Sequence, residues 1–171
     1  MLELDLERAC EELYNFDKFL KKIPDGCTED LRIHLNGGGG YAEEMSMYLD
    51  FFDRYQGNIS LVCEYEINSA DSLLFLISNT KKELAPGASC MLHLASNTHR
   101  SLEYFSTAHN NDFYKRRLEL GNEFISSKLK PLLDEEDFDF IMTGEDLILS
   151  GEKLRQVVQR AENLFWTKRR V

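Results

Sequence analysis

The run Leu31–Gly40, LRIHLNGGGG, constrains this chain more than any other feature. Leu31, Ile33 and Leu35 alternate as in a half-buried strand. The pattern then breaks on four consecutive glycines, and a helical pattern follows over Tyr41–Tyr55. Glycine loses more backbone freedom on folding than any other residue, so four in a row are costly unless the backbone has to approach something closely. A loop of this kind between a strand and a helix presents N–H groups to an anion, either a phosphate or an oxyanion that develops during a reaction.

The phosphate reading lacks its partners. The loop has neither the lysine and hydroxyl of GxxxxGK[ST] nor GxGxxG spacing with a well-placed acidic residue, since Glu64 and Glu66 fit that role poorly. The oxyanion reading needs a nucleophile, and Ser69 is the candidate. It falls where a strand over Ile59–Tyr65 gives way to an apolar helix over Ala70–Ser78. Its hydroxyl is therefore predicted at a helix N-terminus, where the macrodipole favours developing negative charge. The same position suits an ordinary serine N-cap. His93, within MLHLA, reads as a base or as a core histidine with a satisfied ring. Asp146, within TGEDLILSGE, reads as a loop residue before a helix. His34 sits on the strand before the glycines, and His99 and His109 fall in polar stretches.

Around these residues the periodicity predicts a helix over Leu4–Lys22, with Leu6, Leu13, Phe16, Phe19, Leu20 and Ile23 on one face, ended by Pro24-Asp25-Gly26. Helix Ala42–Tyr55 follows the glycines and places Met45, Tyr48, Leu49 and Phe52 together. Strand, helix and strand in this order predict a parallel pair. Leu73–Ile77 is continuously apolar, so the Ala70–Ser78 helix should be buried almost all round. A short strand is predicted over Cys90–Leu94. Beyond it come a long charged helix over Leu102–Lys128, a short acidic segment over Asp134–Ile141, a loop at Thr143-Gly144 and a final helix over Ser150–Trp166. The order points to an α/β domain with a helical appendage.

Composition narrows the classes. The 171 residues, 43% of them hydrophobic, fit one domain over 1–171. A net charge of -10 repels phosphate backbones and disfavours nucleic-acid partners. The basic Lys168-Arg169-Arg170 reads as a solvated end. Cys10, Cys27, Cys63 and Cys90 show no CxxC spacing, so no metal, redox pair or cofactor is expected, and Cys63 and Cys90 read as small hydrophobes. MLELDLERACEEL is not a secretory signal, and no apolar stretch approaches the roughly 18 residues of a membrane span. The expectation is a reduced, soluble, cytoplasmic protein without a membrane partner.

Together these residues resemble the proteolytic subunit of the Clp protease (ClpP), and the wider Clp-type serine peptidases, over roughly residues 10–155. The family has a strand leading into Asn-Ser-Pro-Gly-Gly; Asn36-Gly37-Gly38-Gly39-Gly40 stands there here. Its nucleophile lies in Ala-Ser-Met-Gly, matched by Asn68-Ser69-Ala70-Asp71, and the 29 positions from Gly40 to Ser69 match the family spacing. Its histidine lies in Met-Ile-His-Gln-Pro after an Ala-Leu-Pro-Asn turn, matched by Met91-Leu92-His93 after Leu84-Ala85-Pro86-Gly87. Its aspartate precedes Phe-Leu-Ser, matched by Asp146 before Ile148-Leu149-Ser150.

The resemblance implies a crotonase-like ββα-spiral core over 28–98, a handle helix over 100–130, and a C-terminal loop and helix over 143–166. It implies a serine endopeptidase acting on peptide or unfolded-protein substrates without a cofactor. Ser69 would be the nucleophile, His93 the base and Asp146 its orienting carboxylate, with Gly39, Gly40 and Ala70 forming the oxyanion hole. The handle implies a homo-oligomer. The chain departs from the family at Asp71, where a glycine is usual, and at Arg155-Gln156-Val157-Val158, where Gly-Leu-Val-Asp is usual. It reads as beginning at the family's first helix, without the first strand and axial loop that engage an unfoldase ring, which counts against a Clp-type ATPase partner. These departures support the alternative of a catalytically inactive ClpP-like scaffold or oligomer subunit. A crotonase-like enzyme of acyl-CoA thioesters is a further alternative, although no adenine or pyrophosphate site is visible.

Overall fold

A computed structural model describes residues 1–11, 14–95 and 108–166, with backbone only over 108–114. The alternation that introduces the glycines is realised as β2 (Leu31–Gly37), whose Leu31, Ile33 and Leu35 are buried. It lies in a six-stranded sheet with β1 (Leu2–Glu7), β3 (Ile59–Asn68), β4 (Lys81–Leu84), β5 (Ser89–Leu92) and β6 (Leu147–Ser150), in the order β1-β2-β3-β5-β6, with β4 also paired to β3. The pairs are parallel except β5 with β6. The ten residues of β3 serve two neighbours in turn. Ser60–Cys63 pairs with β4, and Glu66–Asn68 pairs with β5. This hand-over carries the sheet toward the end of β3, where Ser69 follows.

The predicted strand–helix–strand unit is present, with α2 (Ala42–Arg54) joining the parallel β2 and β3. It buries Met45, Tyr48 and Phe52. The next helix, α3 (Ser69–Ile77), buries every residue from Asp71 to Ile77, as its continuous apolar run predicts. The last, α6 (Gly151–Phe165), buries Leu154, Val157, Val158 and Ala161, an i, i+3, i+4, i+7 stripe, and contains Arg155-Gln156-Val157-Val158 as predicted.

The N-terminus corrects the sequence reading. Residues expected to open a helix over Leu4–Lys22 instead form β1, parallel to β2, followed by the short α1 (Asn15–Leu20). LELDLE also alternates with period two, burying Leu4 and Leu6, so the strand pattern wins because β2 offers an edge to pair with. The chain turns through left-handed residues at Arg8 (φ 55°) and Tyr14 (φ 74°), and the buried Glu44 accepts the N–H groups of Tyr14 (2.7 Å) and Phe16 (3.0 Å) to start α1. Phe16 and Phe19 then pack edge-on against Tyr48, at centroid separations of 5.1 and 5.4 Å. A first strand is thus present where none was expected. Two further strands, β4 and β6, fall in segments for which the sequence predicts no strand.

The chain forms two compact units, Met1–Leu92 with Leu147–Val171, and His93–Asp146. The first holds the sheet with α1, α2, α3 and α6. The second holds α4 (Ala108–Leu129), within the predicted handle, and α5 (Glu135–Met142). Within this second unit Asn122 clasps Ala95 through both amide groups, and Asp134 caps α5 by accepting from Asp137 N–H at 3.0 Å. Residues 102–107 of the predicted helix, His99 and the Lys168-Arg169-Arg170 tail lie outside the described residues, as does the side chain of His109. Among the described residues no helix is long and apolar enough to cross a membrane. Cys63 and Cys90 are free and fully buried, in keeping with their reading as small hydrophobes.

Candidate active site

Ser69 is the first residue of α3, and its φ is +53°. The cap position belongs to Asn68, in extended conformation at φ −129°, so Ser69 is not the ordinary N-cap its sequence allowed. A non-glycine residue held in the left-handed region costs of order 1–3 kcal/mol and persists only where its surroundings fix it. Here they do. Asn68 pairs with Met91 across the β3–β5 ladder, and the Ser72 hydroxyl donates to Ile67 O at 2.7 Å across the strand-to-helix turn. The residues that follow are all core. The serine is thus placed on a sharp bend whose two arms are both anchored.

The glycine loop lies against this bend. Gly39 has φ +85°, and a Cβ there would sit 2.5 Å from Ser69 Cβ and 2.6 Å from Asn68 O. A Cβ on Gly40 (φ +140°) would run into the carbonyl of Cys10, and one on Gly37 into the carboxylate of Asp71. At Gly38 it would meet nothing within 4 Å. Three of the four glycines are therefore required by contact. Ala70, next in α3, lies in the first turn, where N–H groups have no partner within the helix.

Asp71 explains how the loop is held. Its side chain is fully buried, accepting the N–H of Cys10 on Oδ1 and the N–H of Gly39 on Oδ2, each at 3.0 Å. Burial pushes its pKa up, against the Cys10 thiol and the two N–H donors that favour the ionised form. The Cys10 thiol is in turn pushed up by burial and by the Asp71 charge. The carboxylate that the sequence places next to the serine is thereby tied to two backbone amides. The N–H of Gly39 is engaged by it, which leaves Gly40 and Ala70 as candidate oxyanion donors.

In the second unit His93 Nδ1 lies 3.1 Å from Asp146 Oδ1. Asp146 is well exposed and the histidine about one quarter exposed. Their meeting follows from the strand that the sequence reading missed. His93 directly follows Leu92, Asp146 directly precedes Leu147, and those two leucines are a cross-strand pair of β5 and β6. A second histidine pair joins His34 Nδ1 to Glu64 Oε1 at 2.7 Å on the adjacent strands β2 and β3. Among the described residues no group of three or more His, Cys, Asp or Glu side chains could hold a metal ion.

Sequence reasoning missed the part played by Asp71 and Cys10. The available signal was an acidic residue at the third position of a helix that is otherwise apolar, where burial forces a carboxylate to find donors.

No family model and no curated protein matches this chain. Among solved structures it is similar to a mutant of ClpP1 from Listeria monocytogenes, with a TM-score of 0.69 and 16% sequence identity, covering 91% of this chain and 86% of that one. The fold is ClpP-like, with a mixed sheet and helices arranged as in the crotonase-like class.

Proposed function

We propose that this protein is a ClpP-like serine peptidase that hydrolyses peptide bonds in peptide or unfolded-protein substrates. The observation that carries the reading is Ser69, held at φ +53° on the strand-to-helix bend with Gly39 packed against it. A left-handed serine on a strand-to-helix bend beside a glycine loop supports the role of nucleophile, and Asn68 already occupies the cap. In the proposed reaction Ser69 Oγ attacks the substrate carbonyl and passes its proton to His93 Nε2. His93 then protonates the departing amine, and water hydrolyses the acyl-enzyme by the reverse sequence. With Nδ1–H donated to Asp146, the histidine keeps Nε2 as its basic nitrogen, and the carboxylate stabilises the imidazolium. The N–H groups of Gly40 and Ala70 receive the oxyanion, each such donor typically contributing about 3–4 kcal/mol in the transition state.

The His93–Asp146 bond and the chain order Ser, His, Asp support the triad. The ClpP-like fold, with α4 in the region of the handle, supports assembly into a homo-oligomer.

The test is reaction with a fluorophosphonate, which phosphonylates an activated serine as fluoride leaves. Wild-type protein should label once per chain at Ser69, and Ser69→Ala should not label. An assembled wild-type protein that does not label would overturn the peptidase reading in favour of a catalytically inactive ClpP-like subunit.

A further inference from the structure

The glycine loop is held from beneath by a carboxylate that the proposed Ser–His–Asp chemistry does not use. Asp71 bridges two separate stretches of chain, the turn after β1 at Cys10 and the loop at Gly39, with one oxygen for each N–H. Gly37 packs so closely on Oδ2 that no side chain fits between them. Among the described residues, the titratable groups acting on it are the Cys10 thiol and Glu11 from the turn after β1 and Tyr48 from α2, with Glu44 of α2 acting on Cys10 and Tyr48, and none of these is a cation. The donors facing the carboxylate are therefore two N–H groups and a thiol, which favour its ionised form, and hydrogen bonds to an ionised carboxylate are the strong kind. Gly39, at the other end of one of them, lies so close to the bend that a Cβ on it would sit 2.5 Å from Ser69 Cβ and 2.9 Å from Ala70 N.

We propose that Asp71 is a positioning residue whose carboxylate ties Gly39 to Cys10 and so sets the glycine loop against the Ser69–Ala70 backbone, where the oxyanion is to be stabilised. This rests on the acyl-transfer reading above.

Asp71→Asn keeps the size but replaces one acceptor oxygen by an NH₂ that faces an N–H donor. Two measurements on the full chain test the proposal. In the first, hydrogen exchange in peptides containing Cys10 and Gly39 should quicken about tenfold in Asp71→Asn while α3 stays protected. In the second, the rate constant for fluorophosphonate labelling of Ser69 should fall roughly 10²–10³-fold, the size of losing one oxyanion donor. Should Asp71→Asn not fold, the wild-type protein supplies the test. Protection at Cys10 and Gly39 should fall together on acidification, with a midpoint above the usual carboxylate range because burial raises Asp71.

Equal labelling rates in Asp71→Asn and a reactive wild type would overturn the proposal and leave the peptidase reading intact. Unchanged exchange without an acid step would overturn it whether or not the protein reacts. An unreactive wild type would overturn the peptidase reading, and the exchange result alone would then decide whether Asp71 sets the loop.

Discussion

A methyl group at position 39 has nowhere to go. Gly39→Ala would drive Cβ into Ser69 and Asn68 from a backbone at φ +85° that alanine resists. It should lower the unfolding free energy by more than about 1 kcal/mol. Gly38→Ala, exposed and with open space around it, should stay within about 0.5 kcal/mol of wild type. Denaturant midpoints of the two variants, compared side by side, check this, and equal losses would mean that the loop is not packed as described. Ser69 gives the opposite case. Ser69→Gly relieves a left-handed serine and should raise stability by about 1 kcal/mol while abolishing fluorophosphonate labelling. A Ser69→Gly no more stable than Ser69→Ala, which loses the same hydroxyl, would show that the backbone there is not strained. On the proposed peptidase mechanism, Asp146→Asn, which disturbs the histidine tautomer, should slow turnover of a peptide substrate about 10⁴-fold with stability little changed.

At the scale of elements, α3 concentrates the apolar burial. Phe75 is fully buried within it, so Phe75→Ala should cost about 3–5 kcal/mol, read from chemical denaturation. The strand that follows it in sequence, β4, carries a buried cation. Lys82 Nζ donates to Ser78 O at 2.9 Å and Thr80 O at 3.0 Å, and burial pushes its pKa from 10.5 down to about 8, partly offset by Glu162. Between those two values the unfolded chain holds the proton that the folded one has lost, so stability from this group rises with pH from about 8 to about 10.5. The unfolding free energy of wild type minus that of Lys82→Met should climb over that window, and a flat difference would rule the account out. Elements with one clear period, such as β2, α2, α3 and α6, were legible in the sequence. Those with two competing periods or none were not. Leu4–Lys22 fits period 3.6 as well as LELDLE fits period 2, and β4 is KKEL, a strand only because β3 offers it an edge.

At the scale of the whole molecule, the second unit enters and leaves the first through one cross-strand pair, Leu92 with Leu147. Antiparallel neighbours can be closed by a two-residue turn. Replacing residues 93–146 with Asn-Gly should therefore leave the six-stranded unit cooperatively folded, by circular dichroism and denaturant unfolding. If Ser69 draws on His93 and Asp146 as proposed, the same change should also remove fluorophosphonate reactivity. Loss of cooperative folding would show that the sheet depends on the inserted segment.

The sequence by itself determined the strand–glycine–helix unit, the buried α3 and the residue types at Ser69, His93 and Asp146. These follow from local periodicity and from motif spacing, which the chain carries without reference to distant contacts. Only the tertiary structure decided that LELDLE is a strand, that LILS pairs with β5, and that Asp71 turns toward Cys10 and Gly39. Each of those outcomes depends on a partner far along the chain. A strand edge or an unpaired N–H stabilises a segment only after the fold has brought it within a few ångströms. The glycines belong to both accounts. Their number was plain in the sequence, but which of the four the fold needs was set by what lies opposite each one.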